Sequence, residues 1–275
     1  MPDSIKTFTI HRARRQDLRE ERDRLVVEEP LEIRLNHQPL AVVMRTPGDD
    51  FDLARGFLLS EGILTKDNWK EAVNSLAITW AYDELRLPIP NVVSCTLAAL
   101  SEKDILKIPR QIYATSSCGI CGRASLERIF LQAPKLRGDF SIGLSALLHL
   151  PDKLANVQTD FSQTGGLHAA ALFTPEGNLL NMREDIGRHN AVDKVIGRAL
   201  RDGHYPLSDF GLLVSGRLSF EMAQKALLAG ISCVAAISAA SSLAVELAEE
   251  SGMTLAGFVR GEQAVIYTGR HRIIV

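Results

Sequence analysis

Cysteine is scarce in this chain, with four in 275 residues, at positions 95, 118, 121 and 233. They are too few and too scattered for a disulfide framework, and no basic segment followed by an apolar core opens the chain as a secretory signal would. A reducing, cytoplasmic setting is the expectation. Net charge is also small, at −2, so overall charge advertises no nucleic-acid partner. Long uncharged runs are rare. The longest concern is Ala226 to Val245, 20 residues without a charge and close to the length that spans a bilayer. Gly230, Ser232, Ser238, Ser241 and Ser242 divide that run into a helix end, a short β-rich stretch (231–237) and a new helix start. It therefore reads as a buried α/β unit and no membrane partner is expected. Internal repeats and low-complexity tracts are lacking too.

What the sequence does have is Ser116-Ser117-Cys118-Gly119-Ile120-Cys121-Gly122. Two thiols three apart lie on a glycine- and serine-loosened backbone, with no second cysteine pair to complete a tetrahedral metal site. The chemistry is then that of sulfur itself: attack on a disulfide, acceptance of a sulfane sulfur, or half of a shared metal site. Arg123 and the start of a helix over 123–131 would lower a thiol pKa in this loop. Cys95 and Cys233 sit in apolar runs and read as buried.

The composition, 46% hydrophobic and 23% charged, suits a globular protein large enough for two units. Residues 1–25 are dense in charge and read as a flexible leader. Residues 26–140 read as a mixed α+β module: strands over 31–35 and 40–45, a stop at Thr46-Pro47-Gly48, a helix over 51–61 opened by Asp49 and Asp50, and strands near 76–80 and 92–97. The cysteine loop and its helix close this module. Residues 141–275 begin with a helical stretch interrupted at Pro151. A β-hairpin around Thr174-Pro175-Glu176-Gly177-Asn178 follows, then helices alternating with strands. That alternation predicts an α/β domain with a mostly parallel sheet covered on both faces.

Ligands on such sheets sit at the carboxyl ends of the strands. Glu184 to Asn190, Ser215 to Ser219 and Ser238 to Ser242 fall there, small residues and glycines beside helix starts, with Arg188, His189 and Arg217 among them. They suit a phosphate or pyrophosphate. Gly257, Phe258, Val259, Arg260, Gly261 and Glu262 add an aromatic and a cation able to stack a base and hold a phosphate.

These segments carry a resemblance. Glu29 to Ile33, Met44 to Asp50, Gly56 to Gly62, Ser116 to Gly122, Thr164 to Ala171, Glu184 to Lys194 and Ser215 to Gly257 are similar to the FdhD family of formate dehydrogenase accessory proteins, over about 28–267. The resemblance implies a sulfurtransferase of the carrier type. It would take a persulfide sulfur from a cysteine desulfurase and deliver it to the molybdenum cofactor, in its bis(molybdopterin guanine dinucleotide) form, for formate dehydrogenase. A guanine nucleotide would stand in for that ligand. The resemblance further implies Cys118 as the persulfide carrier with Cys121 as second thiol, cofactor contacts at 257–262, a homodimer, and a three-layer C-terminal domain of cytidine-deaminase-like topology. The residues alone leave open which thiol acts first.

Other classes fit less well. A zinc deaminase needs H-x-E and P-C-x-x-C at successive helix starts. Here His189-Asn190-Ala191 lacks the glutamate and Ser215 to Ser219 lacks both cysteines. A thiol–disulfide oxidoreductase would place its C-x-x-C in a compact βαβ unit. A dimeric accessory chaperone that binds zinc or a nucleotide without moving sulfur stays open, with zinc held by two cysteines from each chain.

Overall fold

The computed structural model describes residues 3–15, 17–64, 75–98, 100, 111–114, 136 and 138–275. Cys118, Cys121 and the helix expected over 123–131 lie outside the described residues.

The charged opening stretch, read from composition as a flexible leader, forms an antiparallel strand pair, β1 (Ile5–Arg14) and β2 (Asp17–Val26). The reason is cross-strand complementarity, which a charge count does not see. Arg12 on β1 pairs with Glu21 and with Asp23 on β2, the latter at 3.1 Å. Ser4 donates to Asp160 at 2.7 Å and Arg24 to Gln163 at 2.6 Å, which moors the hairpin to the body of the protein.

A five-stranded sheet follows, in the order β5-β6-β3-β4-β7. Its strands are β3 (Glu29–Leu35), β4 (Gln38–Arg45), β5 (Leu76–Tyr82), β6 (Pro88–Leu97) and β7 (Gln111–Ala114). Leu31, Ile33 and Leu35 alternate inward along β3. Asn36 and His37 both have positive φ, 44° and 69°, the geometry of a two-residue hairpin turn. Asn36 also exchanges hydrogen bonds with the backbone of Leu97, which locks the turn to β6. After Thr46-Pro47-Gly48 comes α1 (Asp50–Ser60), with Asp50 and Asp52 in its first turn.

The second sheet has the order β10-β9-β11-β12-β13-β14. These are β9 (His168–Phe173), β10 (Leu179–Asp185), β11 (Gly211–Val214), β12 (Cys233–Ala236), β13 (Thr254–Arg260) and β14 (Gln263–Thr268). A short pair, β8 (Ile142–Gly143) with β15 (Ile273–Ile274), lies outside it. The helices are α2 (Leu144–Val157), α3 (Thr159–Thr164), α4 (Arg188–Arg201), α5 (Phe220–Leu228) and α6 (Ser242–Ser251).

The sheet is mixed, which corrects the expectation of a mostly parallel one: only β11–β12 and β12–β13 are parallel. The short turns 174–178 and 261–262 permit only antiparallel neighbours, so each end of the sheet is capped by a hairpin. Pro151 lies inside α2, which runs through it to Val157 without the expected interruption. Alternate residues of each strand feed two cores. Ala170, Leu172, Leu212, Val234 and Leu255 meet the side that holds α4, α5 and α6. Ala171, Phe173, Leu213 and Ala235 meet Leu147, Leu150 and Leu154 of α2. No helix among the described residues is long and apolar enough to cross a membrane.

One buried cluster takes in both Leu31, Ile33 and Leu58 and Val192, Val195 and Leu255, so residues on either side of position 140 share a core. The seam is the crossing of α1 with α4. A Cβ on Gly56 would lie 1.9 Å from the Asp193 carbonyl oxygen, and one on Gly197 would lie 1.8 Å from that of Asp52. Only glycine allows the two backbones to approach that closely.

Candidate functional site

β10 and β11 each run antiparallel to β9, and β11, β12 and β13 are mutually parallel. The carboxyl ends of β10, β11, β12 and β13 therefore share one edge of the sheet. All the loops expected to bind ligand meet there. The 215–219 and 237–241 loops are zipped together: Leu218 N donates to Ala239 O at 2.9 Å, and Ser241 N to Leu218 O at 3.0 Å. Phe258 N donates in turn to Ser238 O at 3.0 Å.

At the β13–β14 end, Gly257 is required by space, since a Cβ would lie 2.7 Å from the Tyr267 ring. Phe258 holds a left-handed φ of 51°, a strained state for a bulky residue. The Arg260 guanidinium carbon lies 5.5 Å from its ring centroid. Phe258, Arg260, Gln263, Ala264 and Val265 line a depression of about 270 Å³. Gly261 and Glu262 form the exposed turn, whereas the Val259 side chain is buried on the α2 side, leaving only its backbone near the edge.

At the β10 end, the turn leading into α4 is fixed from both halves of the protein. Asp185 accepts from Gly187 N at 2.8 Å and from Asn190 Nδ2 at 2.9 Å. The Thr46 amide also donates to Asp185, while its hydroxyl accepts from Ile186 N at 3.1 Å. Lys194 Nζ sits 2.8 Å from Asp185 and donates to Thr46 O at 2.9 Å. Thr46 was read from sequence only as part of a strand stop, and its role in holding this turn was missed.

Arg188 and His189 are the first residues of α4, and Arg217 is exposed on the neighbouring loop. His189 Nε2 lies 3.7 Å from Glu221. Burial, with Lys225 and Arg188 nearby, pushes the His189 pKa down to about 4 against the pull of Glu221, so the imidazole is neutral at pH 7. Asp193 is instead held by Lys225 Nζ at 2.8 Å, which also donates to Ser60 Oγ at 2.7 Å. His168, at the start of β9, faces the same edge; burial and then Arg188 lower its pKa. Sequence reasoning missed His168, Glu221 and Lys225, whose partners come from separate elements and leave no local spacing to find.

The described thiols offer no reactive sulfur. Cys95 and Cys233 are fully buried, and burial pushes both pKa values up to about 12. Among the described residues no group of His, Cys, Asp and Glu side chains is placed to share a metal ion.

A family model described as the FdhD/NarQ family matches residues 26–274. The chain belongs to the FdhD/NarQ family. One relative, from Streptomyces avermitilis and named sulfur carrier protein FdhD, is 52% identical over 255 residues, covering 91% of this chain and 89% of its own. Another of the same name, from Saccharolobus solfataricus, is 40% identical and covers 98% of each chain. The crystal structure of a candidate formate dehydrogenase accessory protein from Desulfotalea psychrophila aligns with a TM-score of 0.75 at 21% identity, over 99% of this chain and 100% of that one. The FdhD/NarQ match takes in the C-x-x-C segment, both sheets and the whole edge at which β10 to β13 end, and leaves out nearly all of the β1–β2 hairpin.

Proposed function

We propose that this FdhD/NarQ protein is a sulfur carrier, a sulfurtransferase without conventional turnover, and that its sulfur goes to a molybdenum bis(molybdopterin guanine dinucleotide) substrate required by formate dehydrogenase. The observation that carries this reading is the C-x-x-C segment in a chain whose relatives are named sulfur carriers along nine-tenths or more of its length. The Cys118 thiolate attacks the terminal sulfur of a desulfurase persulfide. The S–S bond there breaks, the desulfurase leaves as thiolate, and Cys118 holds the sulfane sulfur as a persulfide. Attack by the Cys121 thiol on the inner sulfur then forms the Cys118–Cys121 disulfide and releases hydrosulfide, with the two thiols oxidised and the sulfane sulfur reduced. A thiol reductant resets the pair.

The substrate's nucleotide end is assigned to Gly257 to Glu262, with Arg188, His189 and Arg217 toward its phosphates. The Phe258–Arg260 stack and the convergence of four loops on one edge support this. The donor is a cysteine desulfurase, the setting cytoplasmic and the working form a homodimer. Residues 26–140 serve as the sulfur-bearing unit and 141–275 as the ligand-binding unit. A cytidine-deaminase-like topology for the latter is supported by a helix-flanked sheet in which β10 to β13 run one way and β9 and β14 the other.

Intact-mass measurement after incubation with a cysteine desulfurase and cysteine tests the reading. The expected result is a reductant-labile adduct of about 32 mass units on the wild type, lost in Cys118→Ala and kept in Cys121→Ala. No adduct, with zinc present at about half an equivalent per chain, would favour a zinc-bridged dimer instead.

A further inference from the structure

The β1–β2 arm lies almost wholly outside the segment that the FdhD/NarQ model matches, and the proposed function gives it no task. It is held to the rest of the protein near its base, by Ser4–Asp160, Lys6–Glu29 and Arg24–Gln163. Farther out, residues 7–9, 11–15, 17–20 and 22 are exposed. A two-stranded ribbon with water on both faces is marginally stable by itself, and further strands are what it lacks. The backbone shows where they would add. Val27 N donates to Ser4 O at 2.8 Å, so in this antiparallel register the odd-numbered residues of β2 bond back to β1 and the even-numbered ones turn their backbone groups outward. Arg24 N, one of the outward groups, donates to the Asp23 carboxylate at 2.9 Å. Among the described residues no strand pairs with that outer edge.

We propose that the outer edge of β2 pairs antiparallel with β2 of a second copy of this chain, giving a four-stranded sheet of order β1-β2-β2-β1 about a two-fold axis at Glu21. The proposal assigns a surface to the homodimer of the proposed function and rests on that part of it alone. A two-fold pairing closes on itself, whereas β1 of one copy against β2 of the next would leave free edges and grow open chains. β1 carries Lys6, Arg12 and Arg14 and no acid, so it cannot complement its own charge. β2 carries both signs and can. With Glu21 on the axis, Arg19 stands opposite Asp23 of the second copy and Glu20 opposite its Arg22, and symmetry makes each of these attractions twice. Glu21 meets its own copy, and Arg12 neutralises it on each side. This register also sets even-numbered residues opposite even-numbered ones, as the outward backbone groups require. A slip of one residue would oppose outward groups to inward ones. A slip of two would set Asp17 or Glu21 opposite Asp23.

Light scattering of the full chain over a dilution series at low salt reads the dimer Kd. Glu20→Arg alone, or Arg22→Glu alone, turns both symmetry-related attractions into repulsions and should weaken the dimer by at least about tenfold. The two substitutions together restore opposite charges and should return Kd to within about threefold of wild type, which also shows that the altered arm folds. On the axis the two copies of residue 21 form a non-hydrogen-bonded pair with Cα atoms about 4.5 Å apart, within disulfide reach. Glu21→Cys should therefore give a reductant-labile dimer on a denaturing gel after mild oxidation, well above the level of the wild type and of Glu20→Cys. Single variants with unchanged Kd would overturn the pairing and leave a homodimer through another surface. Weakened singles without recovery in the double, or no gain of cross-link in Glu21→Cys, would overturn the register. A monomer at every concentration would overturn both the pairing and the homodimer. Desulfurase-dependent mass gain should persist in Glu20→Arg. Its absence from the wild type would sink the carrier reading and leave the dimer result standing.

Discussion

Replacing Gly197 by alanine should loosen the seam between the two halves of the protein. The new Cβ would sit 1.8 Å from the Asp52 carbonyl oxygen and 2.8 Å from the Gly56 amide nitrogen. Both are backbone atoms that cannot swing aside, so α1 and α4 must part by about 1.6 Å to restore ordinary contact near 3.4 Å. Overpacking of that kind costs about 1–3 kcal/mol. Parting the helices also stretches Arg201–Asp52, at 3.1 Å across the same seam, and Lys225–Ser60, at 2.7 Å, which ties α1 to the neighbouring α5. We expect a total of about 3–4 kcal/mol, equivalent to a Tm roughly 10 °C lower for a chain of this size. Gly56→Ala meets the Asp193 backbone at 1.9 Å and should cost a similar amount. Once one methyl has opened the crossing, the second has less to pay for, so the double variant should fall short of additivity by about 1 kcal/mol or more. Urea unfolding of the two single variants and the double measures this. Singles that each cost under about 1 kcal/mol, or a double that is strictly additive, would refute the reasoning.

Three further outcomes follow from the buried polar groups and the strained turn. His189 has its pKa depressed to about 4 in the folded protein, so the unfolded chain binds its proton first as pH falls. The resulting stability is complete above the unfolded pKa near 6.5 and is lost toward about pH 4, amounting to about 3 kcal/mol. His189→Gln should lose less stability than the wild type between pH 7 and pH 5, a difference in which the opposing contributions of Asp52, Glu61 and Asp193, all raised by burial, cancel. Lys225→Met strands Asp193 in the core and should cost about 3–5 kcal/mol at pH 7, and adding Asp193→Leu should recover much of it, both read by denaturant melts. Phe258→Gly should raise stability by about 1 kcal/mol by relieving its left-handed φ while abolishing guanosine binding, checked by melting and calorimetry.

Much of the fold was legible because its signals are local. Alternation along 29–35, the Thr46-Pro47-Gly48 stop, the acidic first turn of α1 and the 174–178 turn each declare themselves within a few residues. Strand direction was misjudged because helix–strand alternation describes only the middle of the sheet, while the two hairpins that flank it are antiparallel by the shortness of their turns. The β1–β2 pair was invisible because Arg12 and Glu21 cancel only once a register brings them together. The same holds for the site. Its glycines and arginines stood out along the chain, but the partners of His189, Asp193 and Asp185 are set by tertiary neighbours, and Gly56 and Gly197 gain their meaning only from each other.

The parallel register of β7 beside β4 limits how far the thiols can travel. Ala114 pairs with Val43, and the next carbonyl of β4, that of Met44, accepts from Asn190 in the first turn of α4 at 2.7 Å. Cys118 follows Ala114 by four residues, a tether of at most about 14 Å however the chain is drawn. On the proposed function, with Cys118 as carrier, sulfur delivery is thus a short-range event: the thiol is leashed to the partner of the strand whose end braces α4, so its reach is bounded by backbone pairing and not set by diffusion of a free domain.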